Sequence, residues 1–139
     1  MAERLNVEVV DPERVITSAT VEMVVLPGAE GDFGVLPLHA PLVSLLRPGV
    51  VSLFENGRPS RRFFVAGGFV EVNEQGCTVL AEGVEPLEEI SRAAAEQALK
   101  DAEEDLADAK APSEEERARL ERAVAIARAR LEAVSQATS

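Results

Sequence analysis

The sequence predicts a mainly β fold with an α-helical end: an N-terminal antiparallel β-sandwich followed by a C-terminal two-helix antiparallel hairpin. Three observations predict it. All nine Gly, all five Phe and six of the eight Pro fall within residues 1–85. From Pro86 to Ser139 there is no Gly, and Ala becomes the commonest residue. At the same place the hydrophobic period changes from that of strands to that of helices. The chain has 139 residues, the size of one ordinary domain or two small ones. The division is drawn between 1–85 and 86–139.

The first part reads as short strands bounded by turn residues. Leu5 to Val10 alternates with period two, and Val21 to Leu26 is a strand closed by Pro27-Gly28. Gly28 to Gly34 reads as a turn between strands. Val50 to Phe54 runs into Glu55-Asn56-Gly57-Arg58, a hairpin signal, because Asn-Gly accepts the positive φ that matches strand twist. Arg62 to Ala66 is the return strand. Gly67-Gly68 bends the chain into Phe69 to Val72, and Glu74 to Gly76 turns it into Cys77 to Ala81. Short strands separated by turns about every ten residues predict a sandwich or barrel.

The second part reads as two helices. The first is expected over about 87–109, with Ala93, Ala94, Ala98, Ala102, Leu106 and Ala109 at helical spacing. Lys110 to Pro112 breaks it. Ser113 with Glu116 forms a capping box that opens a second helix over about 114–135, whose stripe is Leu120, Val124, Ala127, Leu131 and Val134. Ala side chains bury little area each, so the hairpin gains modest hydrophobic stability and suits an element with two arrangements. Residues 85–112 carry nine acids and three bases, a net of −6, whereas 113–139 carry five of each. Those five bases are Arg117, Arg119, Arg122, Arg128 and Arg130, which serve equally as a solvated helix face or as an interaction surface.

Composition excludes several functions. The net charge of −11 repels nucleic-acid phosphates. A single Cys, Cys77, forms no internal disulfide and points to a reducing compartment. No run of about 18 apolar residues is present, and the start resembles neither a signal nor a transit peptide, so no membrane insertion is expected. With one His, one Cys and no Tyr there is no triad signature and no metal set, and no phosphate-binding loop occurs. No catalytic residue is assigned. His39, between Pro37-Leu38 and Ala40-Pro41, is either a locally hydrogen-bonded loop residue or a contact on a docking face. Cys77 reads as a buried, inert thiol.

The stretch from Gly31 through Pro37, His39-Ala40-Pro41-Leu42 and Pro48-Gly49 resembles the signature of the ATP synthase epsilon family. Leu5 to Glu13 resembles that family's opening strand, and Phe64 to Val72 with Cys77 to Ala81 its central strands. The resemblance is specific in residues 1–85 and architectural in the hairpin. It implies a sandwich of about ten strands that docks the gamma subunit on one face and the ring of c subunits at one end, making 1–85 a docking domain and 86–139 a regulatory one. Carried over by position, the gamma-facing residues are Asp11, His39, Ala40 and Ser44, and the ring-facing turn holds Gly28, Glu30, Gly31 and Asp32. In several bacterial members the hairpin inhibits ATP hydrolysis by offering basic residues to the beta subunits, a role that the five arginines fit in kind. Some members bind ATP at the start of the first helix through a motif whose counterpart here is Glu88 to Ala93. Arg92 and Ala93 fit, but Glu89 stands where Asp is expected and Glu88 where an apolar residue is expected.

The resemblance thus implies a non-catalytic subunit, peripheral on the cytoplasmic face of a bacterial inner membrane, with contacts to alpha and beta subunits through the hairpin. It needs no cofactor, and ATP enters only as a regulatory ligand. The competing reading is a free-standing β-sandwich that binds a ligand or peptide.

Overall fold

A computed structural model describes residues 3–137. Ten strands form one continuous sheet: β1 (Leu5–Val10), β2 (Val15–Val21), β3 (Met23–Gly28), β4 (Gly31–Val35), β5 (Leu42–Leu46), β6 (Gly49–Glu55), β7 (Arg58–Val65), β8 (Gly67–Asn73), β9 (Gly76–Glu82) and β10 (Glu85–Pro86). A 3-10 turn over Leu87–Glu89 precedes α1 (Arg92–Asp108) and α2 (Glu114–Ala137). Two compact units divide between Leu87 and Glu88.

The strand order is β10-β7-β6-β3-β5-β8-β9-β1-β2, with β4 on β3. Every pairing is antiparallel except β1 with β9, which is parallel. The sheet curls until its ends approach. Arg61 on β7 donates to the Thr17 hydroxyl on β2, and the Arg61 guanidinium lies 5.0 Å from the Phe63 ring centroid. Thr17 is the one buried polar side chain among the described residues, and this bond satisfies it. Inside the curl lies a core of Val, Leu and Phe, with Val9, Val24, Leu26, Val35, Val51, Val65, Val70 and Val79 fully buried.

Several expectations need correction. Glu22 separates β2 from β3, so the strand read as starting at Val21 begins two residues later. Gly28 to Gly34 is not a loop: Gly31–Val35 pairs with β3 from Gly28↔Gly31 to Val24↔Val35, leaving only Ala29 and Glu30 as the turn. The Gly content hid this strand, since glycine weakens the β signal wherever backbones pack closely. At Gly68, φ is +136° and an added Cβ would lie 2.1 Å from the Leu80 carbonyl oxygen, so only glycine fits there. The expected Asn56-Gly57 turn is present, with φ of 55° and 75°.

In the hairpin, the first helix starts at Arg92 rather than near Leu87. Ser91 caps it, accepting from the Ala94 amide at 3.2 Å. Its less exposed side is Ala95, Leu99, Ala102, Leu106 and Ala109, while Ala93, Ala94 and Ala98 face outward. The abundance of Ala left the phase of that stripe undetermined in the sequence. The second helix keeps its expected stripe, with Leu120, Val124, Ala127 and Val134 buried, and Ser113 caps it by accepting from the Glu116 amide at 3.1 Å.

Candidate docking site

Strands β5, β8 and β9 bury one face and expose the other, and the exposed face carries an apolar row beside Glu71 and Thr78. Register places Leu45 opposite Phe69 and Phe69 opposite Leu80, forming a row across three strands. Val10, paired with Leu80, extends it onto β1. Leu45 and Val43 are each 69% exposed, Phe69 41% and Leu80 37%. A shallow groove of about 290 Å³ runs beside Phe69 and Leu80 and is bounded by Val10, Asp11, Pro12 and Gly68. A contiguous apolar row on an outer sheet face marks an interaction surface.

The residues named from sequence fall unevenly around this face. Asp11 borders the groove, yet its carboxylate is engaged in its own turn: Oδ1 accepts from the Glu13 and Arg14 amides, each at 2.9 Å. That is an Asx turn closing the β1–β2 connection. Ser44 pairs with the buried Val70, so it shares the inward phase with Leu42 and Leu46. Its neighbours Val43 and Leu45 present outward instead. His39 and Ala40 lie in the β4–β5 loop, at the end of β5 away from the groove. The His39 Nδ1 lies 2.7 Å from the Ala40 carbonyl oxygen, and its amide donates to Leu36 at 3.2 Å. Beside it, Leu38 has a φ of 65° and is 86% exposed. A hollow of about 270 Å³ next to His39 has a mixed lining, with Arg4, Asn6 and Asn73 beside Leu38, Pro41 and Val72.

The β3–β4 turn stands at the same end of the sheet as Asp11. Gly28 is buried, because a Cβ there would meet the Gly31 carbonyl oxygen at 2.6 Å and the Phe33 ring at 2.8 Å. Glu30, Gly31 and Asp32 are exposed. Asp32 pairs with Arg47 at 2.5 Å, and the same guanidinium donates to the Gly28 carbonyl at 2.5 Å.

On the hairpin, Arg117 lies 4.0 Å from Glu121, and Arg128 reaches Glu103 of the other helix at 3.5 Å. Arg122 and Arg130 also have partners, and Arg119 is exposed. Arg92 pairs with Glu96 at 3.3 Å, while Glu89 is exposed at the end of the 3-10 turn. No ion pair joins these two residues of the nucleotide motif among the described residues.

Sequence reasoning missed Val43, Leu45, Phe69, Leu80 and Arg47. Leu42 to Leu46 is apolar in both phases apart from Ser44, a pattern of strands covered on both faces, and it was the available signal. Arg47 had none, since its partners are remote in sequence.

Residues 4–87 match the model of the β-sandwich domain of the ATP synthase delta/epsilon chain, and residues 91–139 match that of the C-terminal domain of the ATP synthase epsilon chain. The sequence is 50% identical over 133 residues to an ATP synthase epsilon chain of Rhodospirillum rubrum, covering 96% of this chain and 98% of that one. It is 47% identical over 135 residues to one of Paramagnetospirillum magneticum, covering 97% and 100%. Among solved structures, a chain of the Euglena gracilis mitochondrial ATP synthase OSCP/F1/c-ring assembly superposes with a TM-score of 0.78 at 24% identity, over 98% of this chain and 82% of that one, which shows a shared fold. The curled ten-stranded sheet, the two-helix end and these full-length matches together establish that the protein belongs to the ATP synthase epsilon chain family.

Proposed function

We propose that this protein couples the rotor of a proton-translocating ATP synthase, docking the gamma subunit through the outer face of β5, β8 and β9. It is a subunit and not itself catalytic, and its membership in the family replaces the reading of a free-standing ligand-binding module. The observation that carries the gamma site is the exposed row Leu45–Phe69–Leu80, which needs an apolar partner face. Val43 and Leu45 take the place of Ser44 in this reading, Asp11 becomes a turn residue beside the groove, and His39 and Ala40 belong to a separate loop. Leu45→Asp is expected to weaken gamma binding by about tenfold or more in calorimetry while the melting temperature holds, as for a desolvated apolar anchor. Unchanged affinity with intact fold overturns the assignment.

The β3–β4 turn, with Gly28, Glu30, Gly31 and Asp32, faces the c-subunit ring in this reading. The resulting location is peripheral, on the cytoplasmic face of a bacterial inner membrane. Bacterial relatives support it, and no helix among the described residues is long and apolar enough to cross a membrane.

The hairpin contacts the alpha and beta subunits and acts as a brake on ATP hydrolysis, with Arg117, Arg119, Arg122, Arg128 and Arg130 offered to an acidic segment of the beta subunits. Support comes from two of them: Arg128 with Glu103 and Arg117 with Glu121 are pairs about half exposed, and such pairs contribute about 0–1 kcal/mol. Deleting residues 113–139 is expected to raise ATPase activity of the reassembled enzyme. Unchanged activity and an unchanged response to ATP sink the proposal. Glu89 and Arg92 form the place to look for regulatory ATP, and calorimetry with the isolated protein decides it: millimolar or tighter binding assigns the ligand, and none removes it.

A further inference from the structure

The tip of the β3–β4 hairpin carries two carboxylates, Glu30 and Asp32, beside one cation, Arg47. Arg47 follows directly on β5 and spans the tip. Its guanidinium donates to the Gly28 carbonyl and to Asp32 Oδ1, each at 2.5 Å. The backbone reinforces the join, with the Arg47 amide donating to Pro27 at 2.9 Å and the Ala29 amide to Leu45 at 3.0 Å. Close packing permits this: a Cβ at Gly49 would lie 2.7 Å from the Pro27 Cβ. The tip cannot tilt against β5 without breaking these bonds. Glu30, in contrast, is exposed and makes no hydrogen bond or ion pair among the described residues.

We propose that Arg47 is the positioning residue of this docking turn. It holds Asp32 in an ion pair, with that side chain still 64% exposed, and so leaves Glu30 as the one carboxylate of the tip without a partner inside the protein. Two carboxylates and one guanidinium leave one negative charge at the tip. The guanidinium has five N–H donors, of which two bonds are accounted for, and its side chain is 42% exposed, so donors remain for a partner. The surface therefore fits a polar loop that sets a cation against Glu30 and a carbonyl oxygen against Arg47. This rests on the reading that the turn faces the ring.

The test measures association of the full-length protein with a gamma–c-ring assembly, using Glu30→Gln, Asp32→Asn, Arg47→Ala, Arg47→Lys and the combination of each Arg47 variant with Glu30→Gln. Glu30→Gln is expected to weaken association about fivefold at low salt, and high salt should remove the difference. Arg47→Ala should weaken it by about tenfold, with Arg47→Lys between, because a point charge cannot serve both acceptors in fork geometry. The deciding result is the cycle. If Arg47 acts by placing the tip, Glu30→Gln adds little once Arg47 is gone, whereas a role in stability alone gives additive effects. Melting of the free protein identifies a variant that fails to fold, and Arg47→Lys then carries the cycle. If Glu30→Gln and Asp32→Asn both leave association unchanged, the turn does not face the partner, and the docking reading falls together with this proposal. If Glu30→Gln weakens association but the Arg47 cycle is additive, the turn docks and the proposal alone is overturned.

Discussion

At the scale of single residues, the structure separates side chains that serve their own loop from those open to a partner. Asp11 belongs to the first group, because its Oδ1 closes a turn with two backbone amides. Asp11→Asn keeps that acceptor and is expected to leave melting and gamma affinity unchanged, while Asp11→Ala lowers stability by about 1 kcal/mol, the net worth of such a bond. A loss of gamma affinity in the stable Asn variant would restore a docking role to the charge. Cys77 is buried, and desolvation pushes its thiol from 9.0 up to about 12. The unfolded protein releases that proton near 9.0, while the folded protein keeps it to about 12. Within that window the unfolded state binds fewer protons, so stability falls as pH rises, and below it the group contributes no pH dependence. Urea unfolding on both sides of pH 9.0, compared with Cys77→Ala, checks this: the difference between the two proteins should narrow only on the alkaline side. The same burial predicts that native Cys77 resists thiol reagents at neutral pH.

At the scale of elements, alternation along β5 decides which residues meet a partner. Ser44 shares the phase of the buried Val70, so Ser44→Ala is expected to change gamma affinity by less than about twofold, within the range of interface positions that are not anchors. The outward Leu45 is the position where a charge should weaken docking, by about tenfold or more. A one-residue difference moves a side chain through the sheet, so Ser44, carried over by position, and its neighbour Leu45 stand on opposite faces of the same strand. The two helices show a related effect. In α2, Leu120, Val124 and Leu131 stand among Arg and Glu and define one face. In α1, alanines occupy every face, and only packing selects Ala95, Leu99 and Ala102.

At the scale of the whole molecule, the two compact units differ in what holds them. The core cluster of Leu5, Val9, Val24, Leu26, Phe63 and Val79 lies wholly within residues 1–87. Among the described residues the hairpin's buried side chains are Ala95, Leu120, Val124, Ala127, Ala133 and Val134 together with Ile90, and half of its helix set is alanine. Residues 1–87 are therefore expected to melt cooperatively on their own, and 88–139 alone to lose most of their helicity, since two helices without a wide apolar face are marginal in water. Circular dichroism of the two fragments checks this, and a hairpin fragment that melts as sharply as the full-length protein would contradict it. By itself the sequence determined the change from β to α grammar near Pro86, the Asn56-Gly57 turn, the N-cap and stripe of α2, and the family through its Gly31-to-Gly49 motif. These are local features, set by backbone propensity and short-range pattern. Only the tertiary structure decided that β4 is a strand, that β1 runs parallel to β9, that Leu45, Phe69 and Leu80 form one row, and that Arg47 pairs with Asp32. Each of those depends on register or on segments brought together across the sheet, and no pattern along a single strand encodes which neighbour it will meet.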